Sequence, residues 1–173
     1  MSDLRVGAIA SGPDGALWFG SEQVAKVIVG LSTRTEQSGG FVYTLQMAPG
    51  GGMWAGTNSG AFRLNSQPRI SWNSSAGLGG VVNAIAAAAN GVVWFGTTKG
   101  LFRSEDAESR PVPVVKRGLL SGGVRSLLID GDGLLWIGTD NGAVRFDGTA
   151  WAARTRIASI TNCSTMMRGN SNP

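Results

Sequence analysis

Leu135-Trp136-Ile137-Gly138 is one of four segments in this chain in which a tryptophan is followed two residues later by a glycine. The other three are Leu17-Trp18-Phe19-Gly20, Met53-Trp54-Ala55-Gly56 and Val93-Trp94-Phe95-Gly96, and the tryptophans stand 36, 40 and 42 residues apart. A period of about 40 residues is typical of repeat architectures, in which one unit cannot bury its own apolar face and neighbouring units stack to form a core. The four segments therefore predict a propeller or a solenoid.

The last repeat shows most clearly how each unit is organised. Val124 to Ile129 and Leu134 to Thr139 flank the turn Asp130-Gly131-Asp132-Gly133, and Asp-Gly pairs favour the backbone conformations of tight hairpins. Two further short strands, Ala143 to Phe146 and Trp151 to Thr155, follow after turn residues. This pattern predicts a four-stranded antiparallel meander, and the same frame fits four repeats at about residues 4–38, 40–75, 81–117 and 124–157.

Other positions recur at fixed distances from the tryptophan. They are a valine twelve residues before it (Val6, Val42, Val82, Val124), a glycine six residues after it (Gly60, Gly100, Gly142) and an arginine nine residues after it (Arg63, Arg103, Arg145). Because four-stranded meanders stacked around an axis define a propeller, we predict an all-β β-propeller of four four-stranded antiparallel blades. A β-sandwich and a β-solenoid are the alternatives. The propeller domain is expected over residues 1–157, with a polar C-terminal tail over 158–173.

The composition is typical of a soluble all-β domain. Of the 173 residues, 42% are hydrophobic and 15% charged, and 27 are glycine, which suits many tight turns. The net charge is +4, but the basic residues are scattered, so we expect no nucleic-acid partner. No hydrophobic stretch is long enough to span a bilayer and the chain has no signal peptide, so we expect no membrane association and a cytoplasmic location. The single cysteine, Cys163, rules out an intrachain disulfide.

Two stretches resemble a known family. Asp132 to Phe146 (DGLLWIGTDNGAVRF) and Gly91 to Arg103 (GVVWFGTTKGLFR) resemble the two-component regulator propeller repeat, found in tandem in the sensor regions of bacterial hybrid histidine kinases. Gly12 to Phe19 (GPDGALWF) also resembles the related repeat of the streptogramin (virginiamycin B) lyases, which are seven-bladed propellers. The resemblance covers nearly all of residues 1–157 and implies a propeller with a sensor-like or lyase function. Both families use more blades than four.

The catalytic options are narrow because the chain contains no histidine. Histidine is the commonest general base and metal ligand, and the resemblance to the lyases implies a catalytic histidine. We therefore predict no catalytic residue, no metal site and no cofactor. A lyase or hydrolase that uses carboxylates is the alternative, although Asp14, Asp130 and Asp132 stand beside glycine and are expected to bond the backbone of their turns. A calcium loop at Asp130 to Gly133 is a weaker alternative, because most of the ligands of an EF-hand are missing.

Specificity is expected where the repeats differ at a fixed position. Eleven residues before the tryptophan the blades carry Gly7, Tyr43, Asn83 and Arg125, at the start of the innermost strand. The start of that strand lies beside the end of the tryptophan strand, so these residues share one end of the blades, called here the loop face, with the turn that follows the tryptophan strand. The candidate ligand-binding residues are Tyr43, Asn83, Arg125, Asn58, Lys99, Asp140, Asn141 and Glu22. The alternative is a solvated loop face without a ligand.

These patterns predict a binding or sensor-like module without enzymatic activity, which recognises a partner, a peptide or a small polar ligand on its loop face. A purely structural assembly unit is a further alternative. We also expect self-association, as a homodimer or a higher oligomer. The first and last of four blades would each leave an apolar face uncovered, and two copies could complete a larger propeller.

Overall fold

The computed structural model describes residues 5–12, 14–22, 24–28, 32–49, 51–64, 70–115 and 122–154. These residues form four four-stranded antiparallel sheets, each a meander in sequence order, and each sheet is one blade. The strands of blades 1 and 2 are β1 (Ala8–Ser11), β2 (Leu17–Gly20), β3 (Val24–Ile28), β4 (Ser32–Glu36), β5 (Val42–Met47), β6 (Met53–Thr57), β7 (Ala61–Leu64) and β8 (Ile70–Trp72). Those of blades 3 and 4 are β9 (Val82–Ala87), β10 (Val93–Thr97), β11 (Gly100–Ser104), β12 (Val112–Pro113), β13 (Val124–Ile129), β14 (Leu135–Thr139), β15 (Gly142–Phe146) and β16 (Trp151–Arg154).

The predicted all-β propeller of four four-stranded blades is confirmed, and most strand bounds differ from the prediction by no more than one residue. The outer strand of blade 3 is the clearest exception, because the sequence predicts a strand over Val112 to Lys116 whereas β12 ends at Pro113. Proline cannot donate to a ladder, so a strand that contains one is weakly paired. Residue 116 lies outside the described residues, as does the predicted polar tail over 158–173.

One short element was not predicted. A 3₁₀ helix over Ser74–Ala76 follows β8, with Asn73 as its N-cap and Gly77 as its C-cap. The side chain of Asn73 accepts a hydrogen bond from the Ala76 N–H at 3.1 Å, and Gly77 takes a left-handed conformation with φ of 94°. This helix carries the chain from the outer strand of blade 2 towards the inner strand of blade 3. The described part of the chain contains no helix with the length and hydrophobicity needed to cross a lipid bilayer.

The blades stack in sequence order through their inner strands, β1 against β5, β5 against β9 and β9 against β13. Within the described ranges, no contact of similar extent joins β13 back to β1. The hydrophobic core accordingly consists of three clusters, one between each pair of successive blades. In each cluster the tryptophan of one blade packs against the next blade in sequence: Trp18 with Val42, Met53 and Leu64; Trp54 with Val82, Phe95 and Phe102; Trp94 with Val124, Leu135 and Ile137.

The repeated glycine and the repeated valine form one contact between successive blades. A methyl group placed on Gly96 would lie 2.5 Å from Cγ1 of Val124, which begins the inner strand of the following blade. Gly20 stands in the same relation to Val42, also at 2.5 Å. A Cβ atom cannot approach another carbon so closely, so only glycine fits beside the valine. This contact, called here the glycine–valine lock, explains why both positions recur in every repeat.

Because the same tryptophan recurs in every repeat, the sequence predicts that all four rings are largely buried between blades. Trp18, Trp54 and Trp94 are at most 6% exposed. Trp136 is of intermediate exposure and is therefore less deeply buried than the other three. The physical reason is that this ring lies on the face of blade 4 that points away from blade 3, where none of the described strands covers it.

Candidate functional site

The position eleven residues before each tryptophan is a β-bulge in three of the four blades. The pairing of β5 with β6 passes from Val42 to Thr44, so Tyr43 is the extra residue, and Asn83 and Arg125 are the extra residues of β9 and β13. A bulge leaves one residue unpaired and redirects its side chain. The structure therefore places the three varied side chains at equivalent points of the loop face, at the start of successive inner strands.

This bulged position lies close to the following blade. Nδ2 of Asn83 donates a hydrogen bond of 2.9 Å to the carbonyl oxygen of Val124 in blade 4. In blade 1 the equivalent residue is Gly7, and a methyl group placed there would lie 2.2 Å from the carbonyl oxygen of Val42 in blade 2. Asn83 thus links two blades, a structural contribution that its variation between repeats did not reveal.

Arg125 and Asp140 are the two predicted residues that form an ion pair. Nε of Arg125 donates to Oδ1 of Asp140 at 2.7 Å, and Oδ2 of the same carboxylate accepts from the Gly123 N–H at 2.8 Å. The hydrogen bond from Arg125, followed by that from Gly123, lowers the pKa of Asp140 below its ordinary value. The side chain of Arg125 remains 61% exposed, so the pair lies at the surface of the loop face.

The residue four positions after the tryptophan contacts the segment that directly precedes the inner strand of the same blade. Asp140 does so through Gly123, and in blade 3 Oγ1 of Thr98 accepts a hydrogen bond of 3.1 Å from the Val81 N–H. Asn58 takes the same place in blade 2, where a methyl group on Gly40 would lie 2.1 Å from its Oδ1. The polar character of this position therefore has a local structural cause in each of these three blades.

The remaining predicted residues also lie on the loop face. Tyr43 is exposed and packs edge-on against Phe41, with ring centroids 5.2 Å apart. The side chains of Glu22, Lys99 and Asn141 are exposed as well. Within the described ranges, no hydrogen bond or ion pair joins Tyr43, Glu22, Asn58 or Lys99 to another predicted site residue. The loop face is thus an exposed polar rim on which Arg125 and Asp140 form an ion pair.

The predicted turn role of the aspartates is visible at Asp130. Its Oδ1 accepts hydrogen bonds from the N–H groups of Asp132 at 3.0 Å and Leu134 at 2.9 Å, and its Oδ2 accepts one from Trp136 Nε1 at 2.7 Å. These bonds, that from Trp136 first, lower the pKa of Asp130. Among the described residues, no group of three or more His, Cys, Asp or Glu side chains is placed to hold a metal ion.

A cavity of about 660 Å³ lies away from the loop face, and the sequence did not predict it. It is a groove between blades 3 and 4, at the end opposite the loop face, beside the turns that join the first strand of each blade to the second. Ala88, Trp94, Arg103, Val114 and Trp151 are among its lining residues, and the predicted site residues are not. One difference between the repeats could have indicated this cavity: blade 3 has Val114 at the position where blade 2 has Trp72.

The comparison with protein families agrees with this architecture. Residues 118–141 match the profile of the family described as "Two component regulator propeller". This segment covers the inner strand and the tryptophan strand of blade 4, and the match confirms the resemblance that the repeats suggested. No curated protein sequence is similar enough to this chain to count as a relative.

Several solved structures share the fold. Virginiamycin B lyase from Staphylococcus aureus superposes with a TM-score of 0.72 at 14% identity, over 91% of this chain and 58% of the lyase. The extracellular domain of a hybrid two component system from B. thetaiotaomicron gives 0.69 at 20% identity, over 91% of this chain and 23% of that domain. PorZ, a surface component of the type-IX secretion system of Porphyromonas gingivalis, gives 0.64 at 16% identity, over 90% and 28%. This chain therefore spans less than two thirds of each of these propeller proteins.

Proposed function

We propose that this chain is a recognition module without catalytic activity, which binds a partner or a small polar ligand on its loop face. Arg125 is the observation that carries this proposal. The bulge in β13 projects its side chain from the loop face, and Asp140 fixes the guanidinium through Nε alone. Among the described residues the two terminal nitrogens have no partner. An arginine held in this way offers two parallel donors to a carboxylate, sulfate or phosphate group.

The surroundings of Arg125 suit a polar ligand that carries an anionic group. Asn141, next to Asp140, supplies amide donors and acceptors, and in the neighbouring blade Lys99 adds a second cation to the loop face. Asn83 lies between these blades but is already bonded to Val124, so we expect it to shape the rim rather than to bind. Tyr43 offers an exposed ring one blade further along.

The comparisons support a binding function more than an enzymatic one. One similar structure is the extracellular domain of a hybrid two component system, and another is a bacterial surface component. A further structure is a catalytically inactive variant of virginiamycin B lyase in which a histidine is replaced by alanine, with quinupristin. The present chain contains no histidine, so a lyase reaction would need a different catalytic group.

A thermal-shift screen against sugars, peptides and nucleotides tests the binding function, because a ligand that binds only the folded state raises its melting temperature. We expect at least one anionic compound to stabilise the protein. Arg125→Ala should abolish that shift and leave the melting temperature without ligand nearly unchanged, since an exposed ion pair contributes little to stability. Arg110→Ala is the matched control, because Arg110 is an exposed arginine distant from the loop face. An equal loss of the shift in both variants would contradict the proposal, and so would a loss of stability in Arg125→Ala.

We also propose that the chain assembles with a second copy through the outer faces of blades 1 and 4. Each end of the described part of the chain carries one residue of a glycine–valine lock without its counterpart: Val6 in blade 1 and Gly138 in blade 4. Val6 is 51% exposed, whereas its counterparts Val42, Val82 and Val124 are fully buried. Ile9 beside it is 64% exposed, and Leu128, on the same face as Trp136, is 61% exposed.

The three contacts inside the chain indicate which surface would cover these faces. In every contact a tryptophan face packs against the valine face of the next blade, and blade 4 presents a tryptophan face while blade 1 presents a valine face. A second copy supplies both complements. Two such contacts would close a ring of about eight blades, within the known range of propellers.

A further inference from the structure

Beside the groove between blades 3 and 4, blade 3 carries a small side chain where blade 2 carries a large one. In blade 2, Trp72 of the outer strand pairs with Ala61 and packs into the core between blades 2 and 3. In blade 3 the equivalent residue is Val114, whose N–H donates a hydrogen bond of 2.9 Å to the carbonyl oxygen of Leu101. Val114 lines the groove, and because valine is much smaller than tryptophan it fills less of the space between its blade and the next.

Two hydrogen-bond donors lie side by side in this groove. The guanidinium carbon of Arg103 is 5.6 Å from the centroid of the Trp94 ring, an arrangement typical of a cation–π contact. Nε1 of Trp94 makes no hydrogen bond within the part of the chain that the structure describes. Ala88, Trp94 and Arg103 all line the cavity, so the two side chains that carry these donors border the same space. An indole N–H and a guanidinium are complementary to an anionic acceptor.

Blade 4 shows how a carboxylate occupies such a pair of donors. Trp136 is the counterpart of Trp94, and its Nε1 donates to the carboxylate of Asp130 at 2.7 Å. Arg145 is the counterpart of Arg103, and its charge contributes to the lowered pKa of Asp130, after the larger effect of the Trp136 bond. The residue six positions before the tryptophan is thus an aspartate in blade 4. In blade 3 it is Ala88, which has no carboxylate to offer.

We propose that the groove between blades 3 and 4 binds a small carboxylic acid with an aromatic or aliphatic body. The carboxylate of the ligand takes, beside Trp94 and Arg103, the place that the carboxylate of Asp130 takes beside Trp136 and Arg145. The apolar body lies against Val114 and Trp151. A volume of about 660 Å³ is within the range of pockets for small molecules, about 300–1,000 Å³.

Blade 2 carries similar residues but offers no access to them. Ala48 precedes Trp54 by six residues and Arg63 follows it by nine, as in blade 3. Trp54 is fully buried, however, and Trp72 packs against the core cluster that contains it. Arg63 also donates through Nη2 to the carbonyl oxygen of Gly51 at 3.3 Å. Arg63 is therefore a matched control for Arg103.

Glu105 is the group that a ligand must displace. Its carboxylate forms an ion pair with Nη1 of Arg103, and its side chain is largely exposed to solvent. Exposed ion pairs of this kind are worth little, so a ligand that also bonds Trp94 competes with Glu105. Glu105→Gln removes the competing charge and should tighten binding of the acid.

Phenylacetate is a suitable probe, with phenylacetamide as its uncharged counterpart. The protein has six tryptophans, so ¹H–¹⁵N spectra of the ¹⁵N-labelled chain monitor each indole N–H separately. Trp94→Phe identifies the signal of Trp94. We expect a saturable shift of that signal with phenylacetate and a much weaker response with phenylacetamide. Arg103→Gln should weaken binding about ten-fold or more, while Arg63→Gln leaves it unchanged.

Two substitutions that fill the site test the proposal in the opposite direction. Ala88→Asp supplies the carboxylate that blade 4 already has, and Val114→Trp restores the side chain of blade 2, so each should abolish binding while the fold is kept. The proposal is overturned if the Trp94 signal does not shift in a saturable way, if phenylacetamide binds as well as phenylacetate, or if Arg63→Gln weakens binding as much as Arg103→Gln. If Arg103→Gln does not fold, Glu105→Gln decides, because unchanged or weaker binding in that variant contradicts the competition described above.

Discussion

Trp94→Ala tests the packing between successive blades most sharply, because Trp136 offers the same residue at the same position of the repeat without a following blade. Trp94 is 6% exposed and packs with Val124 and Ile137 of blade 4. A tryptophan buries about 150–250 Å², and at about 25 cal/mol per Å² this is worth about 5 kcal/mol. Residual burial in the unfolded chain lowers this value, so we expect Trp94→Ala to reduce the free energy of unfolding by about 3–5 kcal/mol.

Trp136→Ala should cost about 1–2 kcal/mol less than Trp94→Ala, since among the described residues no core cluster between two blades includes the Trp136 ring. Urea unfolding followed by circular dichroism measures both losses, provided that the slope with denaturant is the same in the two variants. The measurement is made at low protein concentration and repeated after dilution, so that any association does not bury Trp136. Equal losses, or a larger loss for Trp136→Ala, would refute the argument that each tryptophan is buried by the next blade.

Three further predictions concern single contacts. Hydrogen bonds from the Ala150 N–H first, and then from Thr149, lower the pKa of Asp147 to about 2. The contribution of Asp147 to stability is therefore present above a pH of about 4 and is lost as the pH falls towards 2. Asp147→Asn should remove this part of the pH dependence, which urea midpoints measured from pH 7 to 2.5 would show. Gly96→Ala should lower the free energy of unfolding in urea by about 1–3 kcal/mol, because its new methyl group would overlap the next blade. Gly131→Ala is the control and should have almost no effect, because a methyl group there would have nothing within 4 Å. Equal losses in the two variants would contradict the glycine–valine lock. Asn83→Ala should cost about 1 kcal/mol through the lost bond to the next blade, and an unchanged melting temperature would show that this bond contributes nothing.

The repeated residues made the fold predictable because each has one physical cause that acts in every blade. Trp94 fills the space between two blades, Gly96 admits the next inner strand and Val124 begins that strand. A periodic cause leaves a periodic pattern in the sequence, and that pattern was enough to predict the number of blades and most of the strands. The same pattern does not reveal that Trp136 is less deeply buried than Trp94, because a repeat looks alike in a terminal and in an inner blade.

The candidate sites were less predictable because they depend on single differences between repeats. Variation at the bulged position suggested recognition, yet Asn83 varies and still serves as a structural link. The proposed site in the groove depends on Val114 and Ala88, two small apolar residues without a functional group that would indicate binding. Their meaning became visible only when the register aligned them with Trp72 and Asp130 of the neighbouring blades.

The open half-locks at Val6 and Gly138 lead to the most direct test of the claim that each blade is completed by the next. Light scattering of the purified chain, at concentrations from about 1 to 100 μM, measures the mass of the species in solution. One chain has a mass of 17.9 kDa, so a closed pair has a mass of about 36 kDa. The account predicts the pair for the wild-type chain and the single chain for Val6→Asp and for Leu128→Asp. A wild-type mass of 17.9 kDa over the whole concentration range would contradict it.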